Sequence, residues 1–178
     1  MSSAEFLEWA SSKPQGRYEL VDGEVVAMAP ERARHTIVKG NVFSALREAI
    51  ANAGLPCIVL TDGASVVIND KTTYEPDATV QCGVTIDLDS MVVEKPLIVV
   101  EVTSPTSEVR DHSGKLVDYF SLAAIAHVLI ADPIKKVVIQ HSRGSGSDLV
   151  TRIIHEHDAL RLDPPGILVD ASDFFAGI

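Results

Sequence analysis

Two carboxylates stand at the ends of otherwise apolar runs. Asp77 precedes "ATVQC", and Glu101, 24 residues later, sits between Val100 and Val102 in "LIVVEV". An ionised carboxylate buried without a partner costs several kcal/mol, roughly, even after relaxation, so ordinary packing does not select Glu101. If the two runs are neighbouring antiparallel strands, the start of one adjoins the end of the other. Both carboxylates then meet at one edge of the sheet. Close carboxylates repel, and one keeps its proton unless a cation is shared. Mg2+ or Mn2+ suits such a pair, because a hard ion takes one or two carboxylates together with waters and phosphate oxygens. Asp77 and Glu101 are the candidate catalytic and metal-binding residues.

Lys115 follows on the next helical pattern, one turn before Tyr119. A helix leaving the Glu101 strand must fold back over it, which lets Lys115 direct its ammonium at the same place. Glu19 and Glu24 share one face of an earlier hairpin and are candidates for a third carboxylate, Glu19 the stronger. His35, near a helix start, is either a satisfied helix histidine or a contact to substrate phosphate. Each residue also has a plainer reading. Asp77 suits a strand-end turn, Glu101 an edge ion pair, Lys115 a solvated helix face, and Asp111 a helix start.

The elements that must position these groups are legible in outline. "SAEFLEW" reads as a short helix capped by Ser2 or Ser3. "RYELVDGEVVAMAP" predicts a hairpin turning at Asp22-Gly23, a preferred two-residue turn. In that hairpin Glu19 faces Val26, Leu20 faces Val25 and Val21 faces Glu24. Residues 32–53 are helical, with Val38, Val42, Leu46 and Ala49 as the apolar stripe and Gly54 as the stop. "PCIVLTDGASVVIND" predicts one or two strands around Asp62-Gly63, followed by the Asp77 and Glu101 strands. Residues 107–123 return to helical spacing. "AHVLIADP" and "KKVVIQHSR" form a hairpin, and the tail reads as a strand, a Pro-Gly turn and a short helix. This order implies an α/β protein with a mixed sheet and helices against it.

At 178 residues, with 46% hydrophobic and 22% charged content, the chain suits one soluble domain, residues 1–16 being an N-terminal helix and linker. No run is long enough for a membrane span, and the acidic N-terminus lacks a signal-peptide core, so a cytoplasmic location is expected. Cys57 and Cys82 read as small core residues. "HEH" at 155–157 would put His155 and His157 on one strand face, without a third ligand. "GSGS" near Gly144 lacks the lysine of a phosphate loop and reads as a hairpin loop. A net charge of −10 argues against nucleic acid, whose affinity comes largely from Lys and Arg. Arg17, Arg32, Arg34 and Lys39 are the candidates for a focused basic patch.

Taken in order, "YELVDGE" from Tyr18, His35, Pro76-Asp77, "EVTSPTS" from Glu101, and Asp111, Lys115 and Tyr119 resemble a known pattern. It is that of the Uma-type restriction-endonuclease family, long a domain of unknown function, within the PD-(D/E)XK nuclease superfamily. The resemblance runs from about Arg17 to the C-terminus and takes in the closing "LRLDPPGILVD". It implies a restriction-endonuclease-like fold and a Mg2+- or Mn2+-dependent endonuclease acting on DNA. The superfamily places a lysine two residues after the glutamate, where this chain has Thr103. The resemblance implies that Lys115 supplies that charge from the helix.

The expected function is therefore phosphodiester hydrolysis by Asp77, Glu101, Lys115 and Glu19, with a homodimer setting two sites against two strands. A silent nuclease fold acting as an interaction module is the alternative, and the acidic charge favours it. An enzyme on a small phosphate ester is a third reading. Ser104 and Thr106 around Pro105 shape the turn after the Glu101 strand and form no Ser-His-Asp arrangement.

Overall fold

A computed structural model describes residues 1–13, 16–83, 85–103 and 109–178, the side chains of residues 109–113 excepted. Helix α1 (Ser3–Ser11) starts at Ser2, whose hydroxyl accepts the Glu5 N–H while the Glu5 carboxylate accepts the Ser2 N–H. This reciprocal capping box satisfies two donors that a helix start otherwise leaves open. The helix is docked rather than a loose leader: Ser3 Oγ donates to Asn69 O at 2.7 Å, and Thr73 donates to Ser3.

Strands β1 (Tyr18–Val21) and β2 (Glu24–Ala27) pair in the expected register, Glu19 with Val26 and Val21 with Glu24. Asp22 and Gly23 take φ of 51° and 85°, the two left-handed residues of a type I′ turn. Helix α2 (Ala33–Asn52) buries Val38, Val42, Leu46 and Ile50, every fourth residue of one face. Ile50 takes the stripe position expected of Ala49, which packs at its margin. Gly54, at φ of 63°, follows the helix.

Strands β3 (Cys57–Thr61) and β4 (Val66–Asn69) flank the Asp62-Gly63 turn but join different sheets. A strand not expected from the sequence, β5 (Thr72–Tyr74), pairs with β1 and β4 and completes the four-stranded sheet β2-β1-β5-β4. Next come β6 (Ala78–Cys82), β7 (Pro96–Val102), α3 (Val109–Ser121), β8 (His127–Asp132), β9 (Val137–Arg143) and β10 (Leu149–His155). They form the six-stranded sheet β10-β9-β8-β7-β6-β3. Only the β7–β8 pair, joined across α3, is parallel, so the sheet is mixed. The tail holds two further strands instead of one, β11 (Ala159–Leu162) and β12 (Ile167–Asp170), before α4 (Ala171–Phe174).

Alternation along β7 and β8 sorts the core into two layers. Ile98, Val100 and Leu129 pack with α2, Leu160, Leu162 and Phe174. Val99 and Val128 pack on the other face with Tyr119, Ile125, Val66 and Tyr74. The cysteines are a correction: Cys57 and Cys82 form a disulfide rather than standing as separate core residues. The β3–β6 register places them directly opposite each other, a pairing that a count of two cysteines does not reveal. Among the described residues, no helix is long and apolar enough to cross a membrane.

Candidate active site

The pairing of Ala78 with Val100 puts Asp77, one residue earlier, beside Glu101, one residue later. Both lie at strand ends in the middle of the sheet, not on an edge strand. The Val102 N–H donates to Asp77 Oδ2 at 2.7 Å, tying the start of β6 to the end of β7. Glu101 Oε1 accepts the Tyr119 hydroxyl at 2.6 Å and lies 3.4 Å from Lys115 Nζ. Lys115 and Tyr119 are four apart on α3, so one helical face delivers both. The same ammonium reaches Glu19 Oε1 at 2.8 Å, and that oxygen also accepts the Glu75 N–H at 3.0 Å. Lys115 lies over the Tyr74 ring, 4.9 Å from its centre. Glu101, Lys115 and Glu19 thus meet, from β7, α3 and β1, and Asp77, immediately before β6, stands beside Glu101.

Burial, with Asp77 and Glu19 nearby, pushes the Glu101 carboxyl up to about 7 against the pull of Lys115 and the Tyr119 hydrogen bond. Burial and the Glu101 charge hold the Tyr119 hydroxyl well above its ordinary range, so it stays a donor. Asp77 goes the other way. Burial opposes its charge, yet the His35 hydrogen bond and charge, the Val102 N–H and Lys39 together hold it low.

A second group of charges meets Asp77 from the α2 side. His35 Nε2 lies 3.2 Å from Asp77 Oδ1, and burial of the imidazole is outweighed by Asp77 and Glu31, which raise its pKa. Lys39 Nζ lies 2.7 and 2.8 Å from the two Glu31 oxygens, 2.9 Å from Asp62 Oδ2 and 3.7 Å from Asp77 Oδ1. Arg17 contacts Glu31, Asp62 and Glu75. The expected four-residue basic patch is therefore corrected. Arg17 and Lys39 are engaged by acids, and Arg32 and Arg34 remain exposed at the start of α2. Glu31, in the segment just before α2, and Asp62, in the β3–β4 turn, carry no site signal in the sequence; His35 and Lys39, four apart on α2, share the helical face that meets them.

Other candidates stand apart. Glu24 is exposed at the hairpin turn. Strand β10 ends at His155, whose N–H bonds to the Asp158 carboxylate, so His155 and His157 do not line one strand face. Asp111 lies in the first turn of α3, with its side chain outside those described, and Ser104, Pro105 and Thr106 lie outside the described residues. "GSGS" is the link between β9 and β10.

The donor set of Glu19, Asp77 and Glu101 is all oxygen and acidic, with the Lys115 ammonium between Glu19 and Glu101. That chemistry fits a hard divalent cation. Among the described residues, the three ligand-capable side chains whose atoms lie within 4.8 Å of one another are Glu31, His35 and Asp77, rather than Glu19, Asp77 and Glu101.

Fold and site together define a restriction-endonuclease-like α/β protein. The fold matches the crystal structure of "a putative nuclease belonging to DUF820" from Anabaena variabilis, with a TM-score of 0.78 at 12% identity over 99% of this chain and 98% of that one. The profile of the Uma2 family, described as "Putative restriction endonuclease", matches residues 3–169, and the chain belongs to that family. The uncharacterized protein slr1290 of Synechocystis sp. is 22% identical over 180 residues, covering 100% of this chain and 93% of its own. Family and fold support a nuclease.

Proposed function

We propose that this protein is a metal-dependent endonuclease that hydrolyses phosphodiester bonds in DNA. The observation that carries this reading is the convergence of Asp77, Glu101 and Lys115 at the joined ends of β6 and β7. Asp77 and Glu101 would hold Mg2+ or Mn2+, with Glu19 beside them. Such an ion supplies Lewis-acid polarisation of the phosphate and makes an attacking water more acidic.

The protein's own groups do the rest. Tyr119 fixes the orientation of Glu101, and His35 and the Val102 N–H fix that of Asp77. Lys115 orients the attacking water or offsets charge that develops on the phosphate. His35, on the α2 side of Asp77, would meet a substrate phosphate. A homodimer would address both strands of a duplex, and sedimentation with and without a short duplex tests it.

The decisive experiment is Mn2+ calorimetry with plasmid nicking, for wild type and Asp77→Ala. The reading expects binding and nicking in wild type and loss of both in the variant. Nicking that survives EDTA sinks it. One observation favours the silent interaction module: the net charge is −10, and Arg17 and Lys39 are already paired with acids. Mn2+ binding without any nicking would favour that module.

A further inference from the structure

We propose that the Lys39 ammonium occupies the position of a second divalent cation and so limits the site to one metal ion. The inference rests on the metal reading of Asp77 and Glu101, and it concerns the opposite side of Asp77. Lys39 is 8% exposed and reaches this place along a buried stem. Its nitrogen is held at 2.7–2.9 Å by three oxygens of Glu31 and Asp62 and lies 3.7 Å from Asp77 Oδ1. Oxygens arranged around one cation at such distances form a cation cage, here filled by a side chain.

The surrounding atoms suit a divalent ion. Ligand-capable atoms of Glu31, His35 and Asp77 lie within 4.8 Å of one another. An ion about 2.0–2.6 Å from each donor fits that spread. Asp77 belongs to both groups, with Oδ1 toward His35 and Lys39 and Oδ2 on the Val102 N–H. A carboxylate shared in this way is the kind of group that bridges two metals about 3.5–4 Å apart in two-metal phosphoryl-transfer sites. In this chain a fixed single charge stands on one side of Asp77, and only the Glu101 side is left for an exchangeable ion.

Charge balance points the same way. Glu31, Asp62, Glu75 and Asp77 face the fixed cations Arg17 and Lys39. Removing the Lys39 ammonium leaves these four acids, all at least partly buried, against Arg17 and the His35 imidazole. Buried charge without a counterion is strongly unfavourable, so the vacated cage should recruit a cation from solution. Lys39 would thus be a positioning residue that sets metal content and the place of Asp77.

The test counts Mn2+ on wild type, Lys39→Ala, Lys39→Met and the double variant Lys39→Ala/Glu31→Gln, by calorimetry and by electron paramagnetic resonance of unbound Mn2+. Wild type should bind one ion and Lys39→Ala two, with a larger rise in melting temperature on adding Mn2+. Lys39→Met, which fills the cage without an oxygen, and the double variant, which lacks a ligand, should gain none. No gain in Lys39→Ala over wild type overturns the proposal, as does a wild-type count of two. A Lys39→Ala chain that stays unfolded in saturating Mn2+ also overturns it, because a bound ion should replace the lost charge. A wild-type count of zero counts instead against the metal reading of Asp77 and Glu101. The gain of one ion in Lys39→Ala would even then support the cage.

Discussion

Tyr119 donates its hydroxyl to Oε1 of Glu101 at 2.6 Å, the same oxygen that faces the Lys115 ammonium. Both donors therefore load one oxygen of the carboxylate. The aromatic ring is fully buried, so this donor cannot swing away to solvent. Tyr119→Phe removes the hydroxyl while keeping the packing. A hydrogen bond to a charged group contributes about 1.5–3 kcal/mol, so unfolding in urea should show a loss of roughly 1–2 kcal/mol with an unchanged slope. Mn2+ affinity near neutral pH should fall several-fold, because losing the donor favours the protonated carboxyl. Equal affinity in the variant would mean that Glu101 is oriented by other contacts.

The Glu101 carboxyl, pushed up to about 7, links stability to pH in an unusual direction for an acid. The folded state binds a proton that the unfolded chain has already released between about pH 4.5 and 7. Stability from this group is therefore present below about 4.5 and lost as pH rises through 7, up to roughly 3 kcal/mol in all. Asp77, held low, contributes little slope in this window. His35, raised, loses its contribution as pH climbs above the usual histidine range, so the isolating comparison is wild type against Glu101→Gln. Metal-free wild type should lose stability from pH 5 to 7.5 more steeply than the variant, and saturating Mn2+ should reverse the trend for wild type alone. Parallel pH profiles for the two proteins would show that Glu101 ionises normally.

Much of this site could be read from the chain because its parts obey local rules. Asp22-Gly23 dictates the hairpin that carries Glu19, and the apolar runs around Asp77 and Glu101 dictate strands, whose neighbouring antiparallel pairing is established only by the fold. The four-residue spacing of Lys115 and Tyr119 sets both on one face. The Arg17–Glu31–Lys39–Asp62–Glu75 lattice was not legible, since its members come from separate loops and a helix that only the fold brings together. Arg17 and Lys39 looked like solvent-facing cations because a sequence does not say which acids will arrive beside them. Strand β5 was hidden for a similar reason: three residues carry too little pattern, and pairing with both β1 and β4 defines it.

That lattice bears on DNA binding. With Arg17 and Lys39 engaged, Arg32 and Arg34 are the exposed cations left at the start of α2. Each phosphate contact adds roughly −0.9 to the slope of log affinity against log salt for duplex DNA. Anisotropy with a labelled duplex should thus show weak binding with a slope of about −2. Removing either arginine should make the slope about one unit shallower. A slope several-fold steeper would place the DNA on a different surface.

Lys115 separates an active enzyme from a silent fold. Thr103 occupies the position where the superfamily carries its strand lysine, and it cannot supply a positive charge. The Lys115 ammonium lies between Glu19 and Glu101, at 2.8 and 3.4 Å, so the two carboxylates hold it at the junction. All three side chains are largely buried, so removing the ammonium alone leaves acids facing each other. Breaking a buried pair in this way costs about 3–5 kcal/mol. Lys115→Ala should therefore melt earlier without metal and regain most of that loss in Mn2+, since the ion offsets the same carboxylates. Its Mn2+ affinity at pH 8 should stay close to wild type, while nicking falls by about 10²-fold or more. Lys115→Arg should recover stability better than rate, because a planar guanidinium pairs well with carboxylates but does not reproduce a compact ammonium beside the attacked phosphate. Calorimetry, thermal melts and plasmid nicking on the three proteins read all of these outcomes together. Wild-type cleavage by Lys115→Ala would show that the helix lysine does not replace the missing strand lysine, and that its place between Glu19 and Glu101 is structural.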